Sequence, residues 1–230
     1  ALSPLGIRVQ ERLSLTRLPG LKTGEIEIQD EGSQLVAALV DAKPGDRVVD
    51  FCAGAGGKTL ALAAQMQNRG HIIACDVNES RLERAAERLR RAGLHNVETR
   101  VLASETDRWV KRHKASFDRV LIDAPCSGTG TWRRNPDARW RAPDLGLAGL
   151  VALQSRILAS AARLVKPGGR LVFATCSVLN DENEAQVAAF LAAHPGFHLL
   201  PQERGDFLSL TPAQHGTDGF FAAVLGRDPS

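Results

Sequence analysis

The 230-residue chain is 43% hydrophobic and 24% charged, a composition that fills one core or two small ones and excludes a disordered or fibrous protein. Its longest apolar runs, Ala61 to Ala64 and Val187 to Ala193, fall far short of the roughly 20 residues that span a bilayer, so no membrane partner is expected. The net charge of +3 is unevenly spread: Arg81 to Lys114 holds ten basic and five acidic residues, Arg133 to Arg141 four and one, and Thr175 to Ser230 two and seven. That distribution predicts either a basic face for a phosphate-rich partner or a solvated helix face balanced by ion pairs.

The start, Ala1-Leu2-Ser3-Pro4, has neither the basic nor the apolar region of a secretory signal, and the missing Met leads to the expectation of a fragment or a processed chain. A cytoplasmic setting is the expectation. Residues 1–24 read as an irregular lead-in that cannot fold alone, and residues 25–230 as one domain. Short apolar runs then alternate with helical patterns. Arg47 to Phe51, His71 to Asp76, Val97 to Leu102, Phe117 to Asp123 and Arg170 to Cys176 read as strands buried on both faces. Leu60 to Met66 follows the first as a helix. Glu79 to Ala92 is a second helix, with Leu82, Ala85, Ala86 and Leu89 on one stripe, Asn78 as its cap and Gly93 as its end. Leu145 to Val165, closed by Lys166-Pro-Gly-Gly169, and Glu182 to Ala193, closed by His194-Pro195-Gly196, complete the helical regions. Alternation of this kind predicts an α/β fold, a doubly wound and mostly parallel sheet with helices on both faces, whose ligands bind beyond the carboxyl ends of the strands.

The polar residues of the chain gather at those strand ends. After the first strand, Cys52-Ala53-Gly54-Ala55-Gly56-Gly57-Lys58-Thr59 offers a backbone that turns tightly and a helix start whose N–H groups meet an anionic group. Gly57-Lys58-Thr59 also ends a P-loop pattern, and Val120 to Asp123 reads as a strand delivering a metal-binding Asp. However, that pattern requires glycine at 52, where Cys52 stands. Asp76 ends the second strand, 26 residues beyond Asp50, where an acid accepts both ribose hydroxyls. Loop and acid together predict an adenosine-containing cofactor held by residues 52–58 and Asp76. S-adenosylmethionine meets both conditions, and NAD is disfavoured because the G-x-G-x-x-G spacing is not met.

The four cysteines, at 52, 75, 126 and 176, show no metal-ligand spacing and are too sparse for a disulfide scaffold, so they read as thiols and no metal is expected. Cys52 and Cys75 read as small hydrophobes. Cys126, in Asp123-Ala-Pro-Cys-Ser-Gly-Thr-Gly130, and Cys176, in Thr175-Cys-Ser177, each follow a strand and so share one cleft. A thiolate is the natural nucleophile for an electron-poor ring carbon; at a pKa of about 8.5 only a few per cent would be ionised at pH 7, a fraction that a cation such as Lys58 raises.

Asp50 to Lys58, Asp123 to Gly130, Arg133-Arg-Asn-Pro-Asp-Ala-Arg-Trp140 and Ala174 to Ser177 resemble the Nop/Sun family of RNA cytosine-5 methyltransferases, in its bacterial Sun-like branch. Gln29 to Gln34, Asn180-Asp-Glu-Asn-Glu184 and Gly216-Thr-Asp-Gly-Phe-Phe221 extend the likeness over most of the chain. The resemblance implies a seven-stranded, Rossmann-like S-adenosylmethionine-dependent enzyme. It implies Cys176 as the nucleophile on carbon 6 of cytosine, Cys126 as the helper in product release, and Asp123 as the residue that holds or protonates the base edge or helps to bind cofactor. Lys58 would position the base, favour the Cys176 thiolate, or serve as a structural lysine at the helix start. The implied partner is RNA, ribosomal before transfer, with 16S rRNA the expected substrate and a monomer sufficient.

Two departures stand out. Gly54-Ala-Gly-Gly-Lys58 lacks the proline usual in the family's loop, and Ala103-Ser104 replaces an acid that commonly meets adenine, with Glu105 and Asp107 slightly displaced. Arg133, Arg134, Arg139 and Arg141, with Trp132 and Trp140, are candidates to grip phosphate and stack a base, or else solvated arginines and core tryptophans. The family commonly carries a separate N-terminal RNA-binding domain, from which residues 1–24 would be the end of a linker. The competing functions are a P-loop-like ATPase and an RNA-binding assembly factor without turnover.

Overall fold

A computed structural model describes residues 2–9, 14, 18–140, 145–202 and 205–229. Its core is built from five parallel strands: β1 (Arg47–Asp50), β2 (His71–Asp76), β3 (Val97–Val101), β4 (Phe117–Asp123) and β5 (Val165–Thr175). Three more follow: β6 (Phe197–Leu199), β7 (Phe207–Leu210) and the antiparallel β8 (Phe220–Arg227). The order is β3-β2-β1-β4-β5-β8-β6, with β7 also on β8. The expectation of seven strands is corrected to eight among the described residues. β5 occupies one edge of β8, so β6, opposite 225–227, and β7, opposite 220–223, share the other edge end to end. Eight strands thus fill seven positions.

Side-chain alternation explains why nearly all of them are apolar. Val48, Ile72, Leu121, Val172 and Val224 pack on one face against Val36 and Val40 around α2 (Glu31–Leu39) and Leu62 and Met66 around α3 (Gly57–Gln65). Val49, Ile73, Val120, Ile122 and Phe173 pack on the other against Trp109 of α5 (Arg108–Arg112), Ile157 of α6 (Gly146–Ala162) and Val187 of α7 (Glu184–Ala193). Strands covered on both faces have no polar side to spare. β3 is the exception and corrects the reading of five fully buried strands: it is the sheet edge, its side chains are half-buried or exposed, and Glu98, Thr99 and Arg100 fit it for that place.

Local signals set the helix ends. Asp30 caps α2 by accepting from Gly32 N at 2.8 Å. Asn78 caps α4 (Glu79–Arg91) by accepting from Arg81 N at 3.1 Å, and the stripe Leu82, Ala85, Leu89 is buried as its period requires. Lys166-Pro-Gly-Gly169 does not follow a helix as a closing loop but lies inside β5. The register jumps there from Phe117↔Val165 to Arg119↔Arg170, and Lys166 Nζ meets Asp118 Oδ1 at 2.8 Å. The helix expected over 182–193 is broken at Asn183, after a short 3-10 turn over Asn180–Glu182.

Among the described residues no helix is long and apolar enough to cross a membrane. Part of the basic excess is internally balanced, since Glu27 Oε2 takes Arg88 at 3.2 Å and Arg91 at 2.8 Å.

Because the cap of α4 is a single side-chain oxygen on a half-exposed helix, Asn78→Ala is expected to lower the unfolding free energy by about 0.5–2 kcal/mol. Urea denaturation should show an earlier midpoint with an unchanged m-value.

Candidate active site

The sheet order reverses between β1 and β4, and in such sheets the crevice beyond the strand ends at that point is where ligands bind. A cavity of about 920 Å³ lies there, lined by the loop after β1, the ends of β2 and β4, both strand-end cysteines and Ser104. Its floor is the glycine loop, which neighbouring elements hold rigidly. Phe51 N donates to Leu121 O, Ala53 N to Cys75 O and Gly54 N to Asp76 Oδ2, each at 2.8 Å, while Arg88 Nη1 donates to Ala55 O at 2.6 Å. Two glycines of the loop have positive φ for different reasons. At Gly56 (φ 79°) a Cβ would lie 2.9 Å from the Ala85 methyl, so the residue lets α4 pack close. At Gly54 (φ 54°) a Cβ would meet nothing within 4 Å, leaving an open cradle. Cys52, Ala53, Gly54, Ala55, Gly57 and Lys58 line the cavity, and Gly56 faces α4 instead.

Three carboxylates and one lysine dominate the electrostatics. Asp76 is 8% exposed and accepts from Gly54 N and Asn78 N, both at 2.8 Å. Asp50, fully buried, accepts from Thr59 Oγ1 at 2.7 Å, and its Oδ1 has no partner among the described residues. Burial pushes its carboxyl up to about 7, with the charges of Asp123 and Asp76 adding to the effect and Thr59 and Lys58 opposing it. Lys58 Nζ meets Asp123 Oδ2 at 2.7 Å and lies 5.1 Å from the centre of the Phe220 ring. In a P-loop the lysine and the strand-end Asp serve phosphate and metal separately. Here they neutralise each other, which disfavours the ATPase reading together with Cys52.

β4 and β5 run in parallel register, with Asp123 opposite Ala174, so the residues just beyond them meet. Cys126 Sγ and Cys176 Sγ are 3.4 Å apart. The Cys176 thiol is lowered, first by the hydrogen bond from Cys126 and also by the Lys58 charge, against burial and Asp123. The Cys126 thiol is raised, first by that same hydrogen bond and then by burial. Cys176 is therefore the more readily ionised of the two thiols. Burial pushes Cys52 and Cys75 up as well, leaving both inert.

The backbone behind this pair was not legible from spacing. Gly130 N donates to Cys176 O at 2.9 Å and Gly219 N to Gly130 O at 2.7 Å; a Cβ on Gly130 would fall 2.3 Å from Gly219 O. Only a glycine allows those two motifs to touch. Asp218, fully buried, takes Arg134 Nε at 2.9 Å and Nη2 at 2.7 Å, and Arg133 at 3.4 Å. The sequence signal for this anchor was Gly216 to Phe221, which carried only a resemblance. Arg139 stacks over Trp132 and Trp140, 5.8 and 5.3 Å from their ring centres, and Trp140 is 81% exposed. Arg141 lies outside the described residues. The two displaced acids are engaged elsewhere: Glu105 Oε1 accepts from Arg156 Nε at 2.7 Å, and Asp107 caps α5 while accepting from Ala103 N at 2.9 Å. The far end of the cavity is walled by Val77, Leu102, Ser104, Glu105 and Ile157, and Glu105 is held to one side by Arg156.

Residues 37–226 match the model of a family described as 16S rRNA methyltransferase RsmB/F. Ribosomal RNA small subunit methyltransferase B of Photorhabdus laumondii is 37% identical over 227 residues, covering 98% of this chain and 52% of that protein. The protein of the same name from Sodalis glossinidius is 39% identical over 229 residues, again 98% of this chain and 52% of the relative. The chain thus spans about half the length of the curated relatives it matches. The crystal structure of NSun6 from Pyrococcus horikoshii with SFG, an S-adenosylmethionine analogue, has a TM-score of 0.83 at 27% identity, over 94% of this chain and 56% of that one.

The folded chain keeps Asp50 protonated up to about pH 7, whereas the unfolded chain loses that proton near the ordinary 3.8. Within that window the folded state binds the extra proton, so its stability falls as pH rises. Asp50→Asn should remove this loss: its unfolding free energy should match wild type near pH 4 and exceed it by about 1–4 kcal/mol at pH 8. A difference independent of pH, read by chemical denaturation at both values, would contradict burial as the cause.

Proposed function

The chain belongs to the 16S rRNA methyltransferase RsmB/F family, and on that premise we propose that it methylates carbon 5 of a cytosine in RNA, with small-subunit ribosomal RNA as substrate. The observation that carries this reading is the 3.4 Å approach of Cys126 Sγ and Cys176 Sγ in the cavity that the glycine loop also lines. A ribosomal RNA substrate implies a cytoplasmic site of action, and residues 25–230 serve as the catalytic unit.

The residues present fit S-adenosylmethionine. Gly54 leaves an open cradle, Asp76 offers a carboxylate to ribose hydroxyls, and Val77, Leu102 and Ile157 offer apolar surface to adenine. When bound, that cofactor supplies the methyl group as an electrophile on a sulfonium. The protein's part is to make carbon 5 a nucleophile. Cys176 thiolate adds to carbon 6 of the cytosine, forming a C–S bond and moving the ring electrons toward carbon 5. Lys58 stabilises the attacking thiolate by charge. Asp123 keeps one oxygen on Lys58; its other oxygen has no protein hydrogen bond among the described residues and accepts from the cytosine amino group. After methylation the carbon 5 proton passes to solvent water, the C–H electron pair restores the carbon 5–carbon 6 double bond, and the C–S electron pair returns to Cys176 as that bond breaks. Cys126 S–H, within 3.4 Å of that sulfur, donates to the departing thiolate and stabilises it. An unpaired cytosine suits this site, because a duplex would add an unstacking cost of a few kcal/mol. Arg133 and Arg134, anchored on Asp218, are candidate phosphate contacts.

Incubation with labelled cofactor and small-subunit ribosomal RNA tests the reading. Cys176→Ala should abolish transfer, by about 10³-fold or more. Cys126→Ala should accumulate a covalent protein–RNA adduct visible on a denaturing gel. Methylation by Cys176→Ala at the wild-type rate would overturn the assignment.

A further inference from the structure

Behind the two thiols lies a carboxylate for which the chemistry above has no use. Glu182, fully buried, ends the 3-10 turn between β5 and α7, and no lysine, arginine or histidine pairs with it among the described residues. An uncompensated buried charge is expensive, so its hydrogen bonds must carry it. Oε1 accepts from Ser127 N at 2.8 Å and from Gln154 Nε2 at 3.0 Å, and Oε2 accepts from Ser127 Oγ. Gln154 Nε2 also donates to Pro125 O at 2.9 Å. Glu182 therefore grips both neighbours of Cys126, Ser127 directly and Pro125 through Gln154.

The next residue does the same for Cys176. Asn183 Nδ2 donates to Ser177 O at 3.0 Å, and Asn183 Oδ1 accepts from Thr175 Oγ1. The two loops are then stitched by hydroxyls: Ser127 Oγ and Thr129 Oγ1 lie 3.2 and 3.1 Å from Ser177 Oγ.

We propose that Glu182 is a positioning residue of the methyl-transfer site, holding Cys126 at hydrogen-bond distance from Cys176. The inference rests on the function proposed above. Position and charge act together. The Glu182 charge adds to the effects that raise the Cys126 thiol, behind the hydrogen bond to Cys176, burial and the charge of Cys176, with a backbone hydrogen bond from Gly128 opposing them. The other charged groups facing the thiols act on Cys176: Lys58 from α3, Asp123 from β4, and Arg134 beyond the Pro-Cys loop. Glu182 is thus tied to the helper thiol by its hydrogen bonds to both neighbours of Cys126, and its charge adds to the asymmetry that the contact with Cys176 sets up.

Glu182→Gln tests the charge with the shape kept. The glutamine oxygen can still accept from Ser127 N and Gln154, and its amide can donate to Ser127 Oγ, so folding should survive. In wild type, brief iodoacetamide treatment followed by peptide mapping should label Cys176 about 10-fold faster than Cys126. In Glu182→Gln that ratio should fall to within about 3-fold, and kcat should drop about 10-fold with the KM for RNA and cofactor within about 2-fold of wild type. Glu182→Ala, which also frees the loop, should lose about 100-fold in kcat. Wild-type labelling and kcat in Glu182→Gln would overturn the proposal. So would a Glu182→Ala protein whose folded fraction turns over at the wild-type rate, since that leaves only a structural role. The labelling ratio needs no methyl transfer. If wild type methylates no RNA, the functional reading fails while labelling still judges Glu182.

Discussion

One sulfur–sulfur contact organises this molecule. Two thiols 3.4 Å apart, each following a different parallel strand, can exist only if β4 and β5 are in register, if both loops leave their strands at the same angle, and if one thiol gives its proton to the contact. Each condition has a visible cause. Register comes from apolar side chains that alternate onto two covered faces, where a slip of one residue would turn every side chain around. The loop angles come from Gly130, whose N–H holds Cys176 O and whose missing Cβ admits Gly219. The asymmetry comes first from the hydrogen bond between the two thiols, which lowers Cys176 and raises Cys126, with the charge of Lys58 adding to it at Cys176 and that of Glu182 at Cys126.

Buried charge is the price of this arrangement. Asp50, Asp76, Asp123, Glu182 and Asp218 converge on the sheet edge. Asp76, Glu182 and Asp218 are satisfied by backbone or side-chain donors, and Asp123 keeps one oxygen on Lys58. Asp50 Oδ1 has no partner among the described residues, and burial pushes that carboxyl up to about 7. A fold that accepts such groups in its interior has placed selection for an activity above selection for stability, as polar interiors at binding crevices commonly indicate.

Strand and helix alternation was readable because a doubly covered parallel sheet writes itself as apolar runs separated by periodic helices. Arg47, His71 and Phe117 begin strands where the runs begin. The reading failed where a neighbour, not the local pattern, decides. β3 is polar because it is an edge. Lys166-Pro-Gly-Gly169 reads as a loop and is absorbed into β5 as an irregular pairing against Asp118. The short strands β6 and β7 are too brief to show a period and are strands only because β8 offers an edge.

The sequence alone determined the identity of the chemistry: which residues end strands, that the glycine loop and Asp76 suit a nucleoside cofactor, and that two thiols follow adjacent strands. These follow from local pattern and topology, which short-range physics dictates. Tertiary structure alone decided which of those groups act together and in what state. That Gly56 serves α4 rather than the cavity, that Lys58 is neutralised by Asp123, and that Glu182 and Asn183 lock the two cysteine loops are outcomes of packing between segments tens of residues apart. Distance, burial and shared protons are properties of neighbours, and a linear chain does not state who its neighbours are.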